Sequence, residues 1–337
     1  MEIRKINFLG DLPALSLEAG GYEAVIVPSS GANVVKLFHK PTGVDILRTP
    51  QAEELEMFKS RPQVFGVPLL LPPNRIEGGT YTHEGQKYQY PITIPSENNY
   101  HHGIIKSQPF VVTKTTVGAD SVEVETSFFS NCFQDVIYEH FPHSFECRMT
   151  FNLSAEGLKQ TIAFVNLSDK KMPIGIGYHT VMNVPFMDGS NRDNYRLKLS
   201  AGKRWEMNSR TLPTGKLLDL TVDEAPLRTE GIAPCGKEVL WVLTNEPITV
   251  EGKPYSGAIL TDDASGLSVY YETDEQFPHW TLWNNGGEAA YICPEPQSWI
   301  INAPNLKLPA ELTGFRAIEP GESWEATTRL YVTPLVK

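Results

Sequence analysis

Strict alternation of apolar and polar residues restricts this chain more than any other feature. In FECRMTFNL (145–153), Phe145, Cys147, Met149, Phe151 and Leu153 alternate with Glu146, Arg148, Thr150 and Asn152. Successive side chains of a strand point to opposite faces, so the segment has one dry face and one wet face. SVEVETSFF (121–129) repeats the pattern. Val122, Val124, Thr126 and Phe128 lie on one side, and Ser121, Glu123, Glu125 and Ser127 on the other. GLSVYYET (266–273) and WEATTRLYV (324–332) read as further strands. Turn residues at GTYTHEGQKY (79–88) and NLSDKKMPIG (166–175) mark two expected hairpins. QAEELEMFKS (51–60) is the one helix-like piece. Strands without alternating helices argue against a doubly wound sheet. The expectation is an all-β fold of large packed antiparallel sheets, organised as one domain over residues 1–337. No low-complexity linker and no obvious repeat divides the chain.

The formal charge of -11 opposes a nucleic-acid or anionic-membrane surface, because phosphates repel an acidic chain. The longest apolar stretch, FGVPLLLPP (65–73), is about half of what spans a bilayer and holds three prolines. The first twenty residues contain Asp11 and Glu18 and no long apolar run, unlike a signal peptide. Cys132, Cys147, Cys235 and Cys293 are scattered, which is neither a zinc pattern nor a disulfide framework. A soluble cytoplasmic protein with free thiols is expected.

A few polar residues stand out against this scaffold. Glu295 sits in ICPEPQSWIINAPNL (292–306) between Pro294 and Pro296, with Trp299 near and Trp280 and Trp283 just before it. A glutamate among aromatics loses hydration, and its pKa rises toward that of a useful base. The tryptophan faces, Trp280 among them, suit the apolar faces of a sugar ring. Arg75 follows the proline-rich run in LLLPPNRIEGG. A buried arginine needs a carboxylate or a bound polar ligand, so this one either holds a ligand or locks its loop. His101 and His102 precede Gly103 in NNYHHGII, and His179 follows a glycine-spaced strand in PIGIGYHTVMNVPF. Each is a site candidate, against the alternative of a histidine bonded to backbone. His140 and His143 read as structural.

No metal is expected, because adjacent histidines on a strand point apart and no further ligand motif completes a set. There is no dinucleotide fingerprint, no phosphate-binding glycine loop and no serine elbow, so no cofactor is expected. A histidine and a glutamate can interconvert sugar anomers unaided. A base takes the C1 hydroxyl proton, an acid protonates the ring oxygen, the ring opens, and it recloses on the other face. An acid and a base on opposite sides of the anomeric centre, poised near neutral pH, would serve.

Several motifs, in order, resemble the aldose 1-epimerase (galactose mutarotase) family over nearly the whole chain. GANVVKLFHKPTGVDIL (31–47) is similar to its early strand pair, and GVPLLLPPNRIEGGTYTHEGQKY (66–88) to the segment with its sugar-binding arginine. HHGII (101–105), MPIGIGYHTVMNVPF (172–186), ICPEPQSWIINAPNL (292–306) and AIEPGESWEATTRLYV (317–332) resemble later family segments. The resemblance implies a β-supersandwich and interconversion of the anomers of a free aldose. It implies His179 as general acid, Glu295 as general base, and Arg75 and His102 as substrate-binding residues. The family's sugar-binding aspartate has its counterpart at Asp262 or Asp263 in ILTDDASG, both of which also suit a hairpin turn; Asp263 is taken as the substrate-binding candidate. The run after the acid histidine, HTVMNVPF, lacks an aromatic residue before Phe186, unlike the family pattern. Hexose-6-phosphate epimerases share the fold and would need a basic cluster, for which Arg48, Lys106 and Lys171 are separate candidates. A non-catalytic sugar-binding protein is the other alternative. A hydrolase would need paired carboxylates, with Asp188 or Asp274 as weak partners for Glu295.

Overall fold

A computed structural model describes residues 1–131 and 135–334. Three antiparallel sheets carry most of it. The first has eight strands in the order Val111–Val117, Ser121–Ser130, Phe145–Ser154, Gly157–Asn166, Ser323–Pro334, Leu267–Thr273, Gly257–Asp262 and Tyr195–Leu199. The alternation in the sequence sets its inner face. Phe145, Cys147, Met149, Phe151 and Leu153 are buried, while Glu146, Arg148, Thr150 and Asn152 are partly exposed. A one-residue slip would turn every one of those side chains over, so the pattern fixes the register Phe151↔Gln160 and Val124↔Phe151.

The second sheet runs Pro213–Leu218, Ala201–Met207, Leu240–Asn245, His279–Trp283, Tyr291–Gln297, Gly177–Tyr178 and Leu69–Leu70, with Met182–Asn183 pairing beside Tyr291–Gln297. A five-stranded sheet holds the N-terminal segment from Glu2–Phe8 to Val44–Asp45. One contiguous apolar cluster takes residues from all three sheets, among them Leu17, Leu37, Phe151, Tyr271, Trp280 and Leu330. These are large antiparallel sheets packed face to face, as the alternation requires. Among the described residues, no helix is long and apolar enough to cross a membrane.

The hairpin expected over 79–88 is present as Thr80–His83 paired with Gln86–Gln89. That expected over 166–175 is not. Gly157–Asn166 pairs with Phe145–Ser154 and Ser323–Pro334, whereas Met172–Ile174 pairs with Arg316–Ile318. The Asn166 amide sets this exit. It donates to Lys170 O at 2.7 Å and Ile318 O at 2.9 Å, and its Oδ1 accepts from Ser168 N. The chain therefore crosses to another sheet instead of folding back. The helix-like segment 51–60 forms as a 3-10 turn, Ala52–Glu54, followed by Leu55–Ser60. Two further helices, Asp135–His140 and Ala310–Thr313, are too short to show a helical period. Among the described cysteines, Cys147, Cys235 and Cys293 are free thiols; Cys132 lies outside the described residues.

Candidate active site

The site is built on the two central strands of the second sheet. His279, Thr281 and Trp283 point to one face of His279–Trp283, and Trp280 and Leu282 point to the core. Across the ladder, Thr281 lies opposite Glu295 and Trp283 opposite Cys293. The prolines flanking Glu295 share the parity that faces away from it. All residues of Tyr291–Gln297 are buried, so Glu295 enters the site from a rigid, dry strand.

His179 follows Gly177–Tyr178, the neighbour of Tyr291–Gln297 on its other edge. Its main-chain N–H donates to Pro68 O, and its ring sits edge-on to Trp283 with centroids 5.4 Å apart. Its Nε2 lies 3.3 Å from Glu295 Oε1. Both side chains are almost fully buried, at 4% and 2% exposure. Burial disfavours charge on each. It pushes the Glu295 carboxyl well above its usual range, opposed by the Arg75 charge and the Gln297 amide. It pushes His179 down to about 4. His179 and Glu295 are thus neighbours on one wall of the cavity.

Arg75 opens the strand Arg75–Glu77, which pairs with Asn99–His101 so that Arg75 faces His101. Its guanidinium grips Glu97 with two bonds, Nε to Oε2 at 2.6 Å and Nη2 to Oε1 at 3.1 Å. Its Nη1 donates to Asn74 Oδ1 at 3.2 Å and lies 3.4 Å from His101 Nε2. The Arg75 bond holds Glu97 below its usual pKa. The residue thus locks its loop and also borders the pocket.

His101 and His102 both reach the pocket. Adjacent residues of a regular strand could not, but the strand ends at His101 and His102 takes a left-handed φ of 63°. The two rings lie tilted by 31° with centroids 3.4 Å apart, and His102 meets His179 edge-to-face at 5.1 Å. Gly103 continues the left-handed turn at φ 66°, and a Cβ there would come within 2.9 Å of Leu70 Cα. Lys106 caps this turn, its Nζ donating to the carbonyls of His102 and Gly103. Burial holds both imidazoles well below their usual pKa, so they are neutral.

His179, Glu295, Arg75 and His102 therefore converge on one cavity of about 240 Å³. Two other sequence candidates do not join them. Trp280 is fully buried on the opposite side of its strand, where its Nε1 donates to Ser200 Oγ at 3.2 Å. Trp283, three residues on, has the parity that faces Glu295, and it lines the cavity. Asp263 is a half-exposed turn residue whose nearest cation is Arg196, at 3.8 Å. Asp274 staples a turn, accepting from Thr327 N and Gln276 N. The cations considered for a phosphate are engaged elsewhere: Arg48 with Glu54 and Val64 O, Lys106 with the carbonyls above, and Lys171 with Glu84 and Glu319.

His101, a candidate beside His102, and Trp283, one of the tryptophans flanking Glu295 in sequence, also line the cavity, as do Asn74 and Thr281, with Arg61 and Gln63 at the rim, none of which the sequence singled out. Thr281 is a hub whose Oγ1 accepts from Gln297 Nε2 at 2.9 Å and Asn74 Nδ2 at 3.4 Å. Its position opposite a key glutamate is invisible without the strand register. His143 is structural as expected, held between Tyr88 Oη and Ser168 Oγ, and His140 bonds to Gln89 O. Among the described residues, no three histidine, cysteine, aspartate or glutamate side chains gather closely enough to hold a metal.

The family model for aldose 1-epimerase matches residues 13–331. A galactose mutarotase-like protein from Clostridium acetobutylicum superposes with a TM-score of 0.97 at 38% identity, over 99% of each chain. A galactose 1-epimerase from Lactobacillus acidophilus superposes at 0.70 with 16% identity, over 99% of this chain and 98% of that one, which shows a shared fold. Among curated sequences, the Escherichia coli K12 protein YihR is 27% identical over 64% of this chain. The match spans 63% of that relative's length. The LacX proteins of Lactococcus lactis are 24% identical over 61% of this chain and 68% of their own length. The family match and the near-complete superposition agree with the geometry: this chain belongs to the aldose 1-epimerase family.

Proposed function

We propose that the protein is a mutarotase that interconverts the α and β anomers of a free aldose. One observation carries the reading, the contact between His179 Nε2 and Glu295 Oε1 on the wall of a sugar-sized cleft. The two oxygens that exchange protons in ring opening, O1 and the ring oxygen, are bonded to the same carbon. An acid and a base that touch each other can reach both. A carboxylate pair for glycoside hydrolysis stands about 5 Å or more apart, and here the partner of Glu295 is an imidazole.

Ring opening then runs as two proton transfers. The reactive form is the minor one, in which the proton of the pair has passed across the 3.3 Å contact from Glu295 to His179; Glu295, then ionised, takes the proton of the C1 hydroxyl. His179, protonated, gives its proton to the ring oxygen. The C1–O5 bond breaks and C1 becomes an aldehyde carbon. Desolvation makes an imidazolium a stronger acid and a carboxylate a stronger base, so both shifts favour this step. The step discharges the ion pair and leaves both groups neutral, the state that burial prefers. After rotation about C1–C2, the same transfers run backwards and close the ring on the other face. Arg75 and the neutral His102 hold ring hydroxyls and oppose negative charge building on the ring oxygen. No cofactor enters the proton balance.

Polarimetry on freshly dissolved α-aldoses, with Glu295→Gln beside wild type, tests the reading. Fast equilibration by wild type and its loss in the variant are expected. Equal rates in the two proteins would remove Glu295 from the base role. Acceleration of no aldose by wild type would leave a sugar-binding protein without turnover.

A further inference from the structure

The rim of the cleft carries polar groups that the proposed proton transfers do not use. The chain leaves the helix Leu55–Ser60 at Arg61 and makes one 3-10 turn, Pro62–Val64. Pro62 and Val64 are buried and anchor the turn. Arg61 and Gln63 line the same cavity as His179 and Glu295. Among the described residues, Arg61 forms no ion pair and no side-chain hydrogen bond, whereas Arg48 and Arg75 are each committed to a carboxylate. Gln63 Oε1 is buried with no donor. An amide oxygen that spends no bond on the protein is free to accept one from a hydroxyl or N–H entering the cleft.

Charge points the same way. The Arg75–Glu97 pair is neutral in sum, and His101 and His102 are uncharged. With one proton between them, His179 and Glu295 also sum to zero. Among the described residues lining the cleft, Arg61, which is solvent-exposed at its rim, is then the charge with no side-chain partner, in a chain whose formal charge is -11. Its field reaches the reaction centre, where it disfavours a proton on His179. A neutral aldose can only accept hydrogen bonds from such a group, whereas a carboxylate or phosphate also pairs with its charge and can take two parallel bonds from the guanidinium.

We propose that Arg61 and Gln63 form a subsite for the end of the sugar remote from C1, and that the substrate is an anionic aldose, with a carboxylate or phosphate taken by Arg61 and a neighbouring hydroxyl by Gln63 Oε1. This rests on the mutarotase reading and names the substrate class of the same cleft.

The test compares kcat/KM for mutarotation of galactose, galacturonate, glucose, glucuronate and glucose 6-phosphate, in wild type and Arg61→Gln, at low and high salt. Wild type is expected to favour the anionic sugars at least tenfold at low salt. That preference should collapse in Arg61→Gln and shrink toward 1 M salt, as screening requires. The uronates and the phosphate, compared with each other, say which anion the subsite takes. Equal use of neutral and anionic sugars by wild type, or a preference unchanged by Arg61→Gln, would overturn the subsite and leave the mutarotase reading intact. Calorimetric binding of the same sugars to Glu295→Gln separates the remaining case. If wild type turns over no sugar but anionic sugars bind and Arg61→Gln weakens them, the subsite stands and the mutarotase reading falls. If nothing binds through Arg61, the subsite falls.

Discussion

His179 Nε2 and Glu295 Oε1 stand 3.3 Å apart, brought together from neighbouring strands of one sheet. Groups in such contact share a proton and act as a unit. Glu295→Gln and His179→Gln should each lower kcat by about 10²–10⁴, the usual worth of a positioned acid or base. The double variant should be little worse than either single one, because losing one partner already disables the pair. Additive losses would mean that the two residues work independently. Anomer-resolved NMR exchange on the three variants decides between these outcomes.

The pair also fixes the pH profile. One proton must reside on it. On the acid side a second proton binds, and burial places that event near His179's lowered value of about 4. On the alkaline side the last proton leaves, and burial of Glu295 places that event well above the usual carboxylate range. A plot of kcat/KM against pH should be a broad bell with its plateau across neutrality, its limbs belonging to the pair rather than to either residue. An alkaline limb at an ordinary carboxylate value would show that Glu295 does not hold the proton.

How much of this was readable from the residues alone follows from the kind of information each feature needs. The strand Phe145–Ser154 was legible because period two is local and the core enforces it. The convergence of Arg75, His102, His179 and Glu295 on one cavity was anticipated through motifs whose residue types suit the chemistry. The joint presence of His101 and His102 in the cleft was not. It depends on one positive φ at His102, a conformation that a histidine adopts only when its surroundings impose it. The crossing at Asn166 was hidden for a similar reason, since the acceptor Ile318 O lies 152 residues away.

That local backbone can be tested. In Gly103→Ala, a Cβ would meet Leu70 Cα and Leu71 N at 2.9 Å, both backbone atoms that cannot yield cheaply. The left-handed φ adds a further penalty. The variant should lose about 1–3 kcal/mol of unfolding free energy. It should also lose activity beyond what the lost stability explains, because the turn carries His102. Urea unfolding and mutarotation assayed on the same preparation check both expectations.

Acid should weaken the fold over a defined window. Burial lowers His143 and His279 to about 4 in the folded state, against an ordinary value of 6.5. Between pH 6.5 and 4 the unfolded chain therefore binds more protons at these sites than the folded one. Stability rises with pH in that window and is lost as pH falls through it. Each histidine contributes at most about 3 kcal/mol to the change. In His143→Gln, the slope of unfolding free energy against pH over this window should drop by close to one proton. An unchanged slope would show that His143 titrates normally in the folded protein.

The two tryptophans of His279–Trp283 offer the sharpest separation of fold from function. Both lie on one strand, but their parities differ. Trp280 is fully buried, meets Tyr271 edge-on and bonds to Ser200. Trp283 packs against His179 and lines the cleft. Trp280→Ala should cost about 3–5 kcal/mol of stability, the usual range for emptying an aromatic core site. Trp283→Ala should cost much less stability, because its face is already partly open. It should raise KM and lower kcat, since it removes both an apolar wall for the sugar ring and the edge contact that orients the His179 imidazole. Unfolding midpoints and mutarotation kinetics for both variants, measured side by side, read the two effects apart. If Trp280→Ala kept its stability and lost sugar binding instead, the parity of the strand, and with it the placing of Glu295 opposite Thr281, would be wrong.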